Sequence, residues 1–384
     1  MKDTTIVTST TRYKRLAEEV IMRMEYGNQF NAGALVGKKV SAAFIEKDNP
    51  DKFAQLIKDY YADYTREVFI DGETHHVIHD FDRLAGKNVV LVGGTVDDTE
   101  FMELMDLATT IVEQAHSLTI VIPYFGYSTM ERRTIPGEVV KAAKRAHLLK
   151  NIPDAEIKNT FIFFDLHTEG IPYYFGEDCR KFHVYTKPLV IEACDEIRNG
   201  REFVLGTVDT GRTKWIESLA KDMSKIYGFK VEVVIANKAH KAGTSESEMT
   251  GVQGYTNIDG KIVIIYDDMV RSGGSVANVT EAYRNMGASE VHGVFTHGVF
   301  PLIEVPGYLR SGLTTGALGL PAGTKVPSVV RLVGPFHNRL NSLYVTDTHC
   351  NAFSWDDRIP GKERVHIKSV AGLIATTVRN KTEF

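Results

Sequence analysis

The stretch KIVIIYDDMVRSGGSV, Lys261–Val276, decides how this chain is read. An apolar run through Tyr266 is followed by two adjacent acids, Asp267 and Asp268, and then by Arg271, Ser272, Gly273, Gly274 and Ser275. The run predicts a buried strand, and the small residues predict a turn into a helix beginning near Val276. In such a turn backbone N–H groups can face an anion, and the helix N-terminus adds partial positive charge. Two serine hydroxyls add donors. The acids would repel a phosphate, so they are expected to face neutral hydroxyls or a cation. A sugar phosphate satisfies both ends, with its diol on the carboxylates and its phosphate in the loop. The plainer alternative is a strand-to-helix turn with a serine N-cap and solvated acids.

Working outward, short apolar runs predict strands at Asn88–Gly93, Leu118–Pro123, Thr160–Asp165, Glu202–Leu205, Lys230–Ala236, Lys261–Tyr266, Glu290–Thr296 and Ser342–Thr346. Between them, MELMDLATTIVEQAH (Met102–His116) and TKWIESLAKDMSKIYG (Thr213–Gly228) repeat apolar residues at helical spacing. This alternation predicts an α/β fold with parallel sheets covered on both faces, and ligands at the carboxyl ends of the strands. With 384 residues the chain has room for two domains. Expected are an N-terminal domain over 1–185 and a C-terminal domain over 186–352, with a helix near 364–380 packing on the first. Two segments read as additions: 26–67, with the tyrosine-rich KDYYADYTREV, and 302–335, rich in glycine and proline.

Composition narrows the function. Apolar content is 43% and charge content 24%, ordinary for a globular protein. A formal net charge of −4 carries no polyanion signature, so nucleic-acid binding is not expected. Cys179, Cys194 and Cys350 form no paired motif, which points away from a disulfide framework or zinc knuckle. A cytoplasmic setting is expected, without a membrane span or apolar leader.

The acid pair and small-residue loop resemble the phosphoribosyl-diphosphate binding motif, shared by phosphoribosyltransferases and ribose-phosphate diphosphokinases. Further segments, in the order that family has them, resemble the diphosphokinases: FIDGE (Phe69–Glu73), similar to the Phe-x-Asn-x-Glu adenine-site strand; IVIPYFGYSTMERR (Ile120–Arg133), with a PYxxY-type turn; FIFFDLHTEGIPYYF (Phe161–Phe175), carrying DLH; VDTGRTKW (Val208–Trp215); and THGVF (Thr296–Phe300). The resemblance implies two phosphoribosyltransferase-like domains, each with a mostly parallel sheet flanked by helices, and an active site between them. It implies that Mg–ATP donates its β,γ-diphosphate to the anomeric hydroxyl of a ribose 5-phosphate, releasing AMP. Self-association into a dimer or hexamer is implied as well.

Roles follow from the same resemblance. His167 and Asp209 are the implied magnesium groups, although imidazole is an unusual partner for an ion that prefers oxygen; a histidine buried against backbone is the alternative for His167. Asp267 and Asp268 are implied to bind the ribose 2- and 3-hydroxyls, and Arg271–Ser275 the 5-phosphate. Lys238 and His240, in NKAHKAGTSESEMTG (Asn237–Gly251), match a basic pair on a mobile flap that closes over the transferring diphosphate. Phe69, Asp71 and Glu73 are implied to meet adenine, with core packing the alternative for Phe69. Arg132 and Arg133 are candidates for the ATP phosphates.

Several positions depart from the family. Aspartate replaces asparagine in FIDGE, and Thr129, Met130 and Glu131 stand where Arg-Gln-Asp is usual. His240 stands for the flap arginine, with Lys241 a possible substitute for its charge. Arg271 replaces an aspartate, a change of about two charge units beside a bound anion. More negative charge than a monophosphate would explain it, and ADP-ribose, yielding ADP-ribose 1-diphosphate for NAD synthesis, is the enlarged acceptor weighed against ribose 5-phosphate. A catalytically silent regulatory relative and a phosphoribosyltransferase are the competing readings.

Overall fold

The computed structural model describes residues 5–26, 50–240, 247–253, 257–304, 325–334, 339–353 and 361–381. The chain divides into two compact units, Met1–Tyr185 with Ser369–Phe384, and Thr186–Lys368.

In the first unit β1 (Thr5–Ser9) leads to α1 (Lys14–Tyr26), and α2 (Pro50–Tyr60) leads to a hairpin of β2 (Tyr64–Val68) and β3 (Thr74–Ile78). Then β4 (Asn88–Val92), α3 (Asp98–Ile111), β5 (Ser117–Ile122), α4 (Lys141–Lys150), β6 (Thr160–Phe164) and β7 (Arg180–Val184) alternate. The sheet order is β1-β4-β5-β6-β7, and every pairing is parallel. NVVLV and TFIFF read as almost continuous apolar runs because a parallel sheet with helices on both faces buries both sets of side chains. Asp97 caps α3 by accepting from the Glu100 N–H at 2.9 Å, which starts the helix directly after the β4 strand end.

In the second unit α5 (Lys187–Arg198), β8 (Phe203–Thr207), α6 (Thr213–Tyr227), β9 (Glu232–His240), β10 (Ser247–Gln253), β11 (Ile262–Val270), α7 (Gly274–Asn285) and β12 (Glu290–Gly298) follow. A short ribbon of β13 (Leu302–Glu304) and β14 (Lys325–Pro327), then α8 (Val330–Val333), β15 (Leu343–Thr346) and β16 (Val365–Lys368), complete it. The sheet order is β10-β9-β8-β11-β12-β15-β16, parallel except for the β9–β10 hairpin. One core face takes Val263 and Ile265 from β11, and the other takes Ile262, Ile264 and Tyr266. This is the period-two alternation of a doubly covered strand. The last helix, α9 (Ala371–Lys381), belongs to the first unit, where Arg379 donates to the Arg23 carbonyl at 2.9 Å.

Three expectations are corrected. Asp267 and Asp268 do not follow the strand but lie within it, because β12 pairs with β11 as far as Val270 while β8 pairs only as far as Tyr266. The helix after the loop starts at Gly274, not near Val276. Phe69–Glu73 is the turn of the β2–β3 hairpin rather than a strand: the Phe69 N–H donates to the Glu73 carbonyl at 2.8 Å. Among the described residues no helix is long and apolar enough to cross a membrane. Of the two predicted additions, residues 27–49 and 305–324 lie outside the described residues, as do Lys241–Glu246 of the predicted flap.

Candidate active site

In the second unit the groups of interest gather at the carboxyl ends of β8 and β11. Asp209 follows β8, and its Oδ1 accepts from the Gly211 N–H at 2.8 Å, closing a tight turn into α6. Asp268 is 3% exposed and is paired with Arg212 (Nη2–Oδ2 2.9 Å). Burial pushes the Asp267 carboxyl well above the ordinary carboxylate range, and the neighbouring Asp268 and then Asp209 push it further, opposed by Arg212. Three carboxylates and one guanidinium therefore share one strand-end corner. Trp215 stacks on Tyr266 with ring centroids 4.0 Å apart, docking the first turn of α6 against β11 just before the acids.

The loop after β11, the candidate anion loop, turns on a glycine and leads into the start of α7. Gly273 has φ +75°, and a Cβ there would stand 3.0 Å from Leu332, so glycine is required by backbone and by space. Among the described residues the N–H groups of Ser272, Gly273, Gly274 and Ser275 have no hydrogen-bond partner, the condition of a helix start open to a ligand. Ser328, fully buried, donates from Oγ to the Arg271 carbonyl at 2.6 Å, and its N–H donates to the Pro301 carbonyl at 2.9 Å. Ser328 thus ties the ribbon of β13 and β14 to the anion loop. Arg271 itself is exposed and makes no ion pair among the described residues.

In the first unit His167 is exposed beyond β6, so it is not the buried histidine of the alternative reading. That place is taken by His183, whose Nε2 accepts from the Leu166 N–H at 2.9 Å. Tyr174, in the segment after His167, donates to the Glu131 carbonyl, tying the loop that follows β6 to the one that carries Arg132 and Arg133. Both arginines are exposed; Arg132 lies 3.6 Å from Glu131, and Arg133 Nε donates to the Glu138 carbonyl at 3.2 Å. Phe69 is 45% exposed, which removes the core reading, and it stacks on His75. The partners of Phe69, Asp71 and Glu73 among the described residues all lie in their own hairpin. Lys238 and His240 stand two positions apart on β9, in register with Met249 and Ser247 of β10.

Three of the five non-glycine residues with positive φ among the described residues lie in loops after these strands. Tyr127, Asp165 and Phe300, in the loops after β5, β6 and β12, hold φ of +60°, +32° and +38°. Non-glycine residues in that region are costly and cluster where function fixes the backbone. A groove of about 630 Å³ between α6 and the start of β9, lined by Lys221, Ser224, Lys230 and Glu232, lies at the opposite end of the sheet and holds none of these groups. Sequence reasoning missed Arg212 and Ser328. The only local signal for Arg212 was a cation in the turn after Asp209.

Residues 6–152 match the model of the N-terminal domain of ribose phosphate pyrophosphokinase, and residues 191–298 match that of the phosphoribosyl transferase domain. The chain is similar to the ribose-phosphate pyrophosphokinase of Gloeobacter violaceus, 28% identical over 317 residues, covering 78% of this chain and 90% of that protein. It is also similar to that of Fusobacterium nucleatum, 28% identical over 269 residues, 68% of this chain and 80% of the relative. Its fold is that of the phosphoribosylpyrophosphate synthetase of Mycobacterium smegmatis, with a TM-score of 0.69, 19% identity and 99% of each chain covered. With both domain models matched in order and most of the chain aligned to full-length relatives, the chain belongs to the ribose-phosphate pyrophosphokinase family, a family of diphosphotransferases.

Proposed function

We propose that this protein transfers the β,γ-diphosphate of ATP to the anomeric hydroxyl of a ribose 5-phosphate moiety. The anomeric oxygen forms a bond to the β-phosphorus of ATP, and the bond from that phosphorus to the α,β-bridging oxygen breaks. AMP leaves with the electron pair, and the hydroxyl proton passes to solvent. The observation that carries this reading is the acid-lined corner of Asp209, Asp267 and Asp268 beside the anion loop Ser272–Ser275. Diol and phosphate of one sugar phosphate match those two surfaces. His167, Arg132 and Arg133 are the proposed ATP-side groups of the first unit, and Lys238 with His240 the proposed clamp on the transferring diphosphate. The exposed Phe69, Asp71 and Glu73 turn is proposed to serve adenine, in a dimer or hexamer within the cytoplasm.

Magnesium fits the residues present. Asp209 offers a carboxylate in the turn that follows β8, and His167 an exposed imidazole. When bound, the ion neutralises charge on the phosphates being transferred.

The acceptor we favour is ADP-ribose, giving ADP-ribose 1-diphosphate, a product suited to NAD synthesis. Arg271 supports it as an exposed cation without an ion-pair partner among the described residues, at the loop that would hold the 5-phosphate. Ser328 supports it too, because the strands that flank residues 305–324 are anchored to that same loop. The test is AMP release from Mg–ATP with ribose 5-phosphate or ADP-ribose, with product masses read. Preference for ADP-ribose supports the enlarged acceptor; equal or better turnover of ribose 5-phosphate removes it; no AMP with either favours the silent relative.

A further inference from the structure

The β2–β3 hairpin has an inner and an outer face. Its register pairs Tyr64 with Ile78 and Arg66 with His76, and these four are partly buried, while Thr65, Glu67, His75 and Val77 are exposed. The inner face carries a phenol, a guanidinium and an imidazole, and all three reach acids of α3. Tyr64 donates from its hydroxyl to Glu103 Oε1, and Arg66 Nε lies 3.4 Å from Glu103 Oε2. His76 Nδ1 lies 3.4 Å from Oδ2 of the more exposed Asp106, a weaker contact. Glu103, 5% exposed, also accepts from the N–H and the hydroxyl of Thr11 at 2.6 and 2.7 Å. One carboxyl group thus joins α3, the segment after β1 and the hairpin.

The base of the hairpin is fixed separately. The Ala62 N–H donates to the Val7 carbonyl at 2.9 Å, and the Thr8 hydroxyl donates to the Ala62 carbonyl at 2.7 Å. Beyond Arg66 and His76 the tip stands out: Val68, Phe69 and Ile70 are exposed, and the partners of Phe69, Asp71 and Glu73 among the described residues lie in the hairpin itself. The direction of the tip therefore depends on the last contacts before it, chiefly those with Glu103. A binding group must be held to within about 0.5 Å to keep its specificity. Resting on the adenine role proposed for this turn, we infer that Glu103 is a positioning residue for adenine: it clamps Tyr64 and Arg66 to α3 and so sets the angle at which Phe69, Asp71 and Glu73 are presented.

The test compares Mg–ATP with Mg–GTP by calorimetry on the full chain, alongside steady-state kinetics. Tyr64→Phe combined with Arg66→Met removes both hairpin contacts to Glu103, keeps the ring and the stem, and leaves Thr11 on Glu103. In this variant the ATP Kd is expected to rise roughly tenfold, the scale of losing hydrogen bonds to a charged group. The GTP Kd stays within about twofold, so the preference for ATP falls. Both kcat at saturating ATP and the acceptor KM stay within about twofold, a split that a general loss of folded protein would not give. Arg66→Lys, which keeps the charge beside Glu103, binds ATP within about threefold of wild type. An unchanged ATP-to-GTP ratio in the double variant, or equal loss of both nucleotides, overturns the inference. A wild type that binds ATP and GTP equally overturns it together with the adenine role of the turn. A wild type that prefers ATP yet releases no AMP with either acceptor removes diphosphate transfer alone, and the binding ratio still decides the role of Glu103.

Discussion

Gly273→Ala probes the anion loop through two separable costs. The residue sits at φ +75°, where an L-side chain pays roughly 1–2 kcal/mol. Its new Cβ would stand 3.0, 3.2 and 3.3 Å from three side-chain carbons of Leu332, which is 1% exposed and cannot withdraw into solvent. Those distances require shifts of a few tenths of an ångström, at the low end of overpacking costs, about 1 kcal/mol. The reduced entropy of the unfolded chain returns about 0.5 kcal/mol. The net expectation is a loss of about 2 kcal/mol from the second unit, read as a shift in its urea midpoint by a fluorescence probe placed in that unit. Because the loop must move to relieve the contact, acceptor KM rises while ATP KM holds. Leu332→Ala alone creates a cavity costing about 2–4 kcal/mol, yet the double variant should lose less than the two singles together by about 1 kcal/mol, since the overlap is gone. Strict additivity, or wild-type stability in Gly273→Ala, refutes the argument that glycine is required there.

Other consequences are equally open to measurement. Arg271→Asp should move the acceptor preference toward ribose 5-phosphate, lowering kcat/KM for ADP-ribose relative to it by roughly tenfold, the loss of one charge-assisted contact; an unchanged ratio speaks against the enlarged acceptor. Ser328→Ala removes the donor to the Arg271 carbonyl and should raise acceptor KM by roughly threefold to tenfold, about 1 kcal/mol, with ATP KM unchanged. Glu100 is 1% exposed, and burial raises its carboxyl to about 7, with the Thr10 hydroxyl and Arg12 opposing. A raised pKa favours the protonated folded state, so its contribution to stability is full below about 4.5 and is lost as pH rises through 7. The loss amounts to about 3 kcal/mol. Urea midpoints of the first unit from pH 5 to 8 should fall less steeply in Glu100→Gln, and an equally steep fall contradicts the assignment.

The α/β class and the positions of the central strands were legible because parallel strands covered on both faces must be apolar throughout, as in the runs at Asn88, Thr160 and Lys261. The β2–β3 hairpin was not, since YTREV and THHVI leave most positions at least partly exposed and carry no core pattern. The continuation of β11 through both acids was hidden for another reason: it depends on pairing with β12, a tertiary contact that overrides local polarity. The acid pair and the glycine loop stood out as candidates from the chemistry of strand ends, whereas Asp209 was a candidate only through the family resemblance of VDTGRTKW. Arg212 was not legible, because its partner Asp268 is remote in sequence and the turn alone gives no sign of the pairing. Ser328 was hidden likewise, as a buried serine whose one hydroxyl contact reaches a distant carbonyl.

The most direct test of the central claim follows phosphorus. Phosphorus-31 NMR of the protein with Mg–ATP and ADP-ribose should show AMP and a new anomeric diphosphate ester appearing in equal amounts, with both the β- and γ-phosphorus of ATP in the ester. Appearance of ADP in place of AMP, or no new ester with either ADP-ribose or ribose 5-phosphate, contradicts diphosphate transfer by this chain.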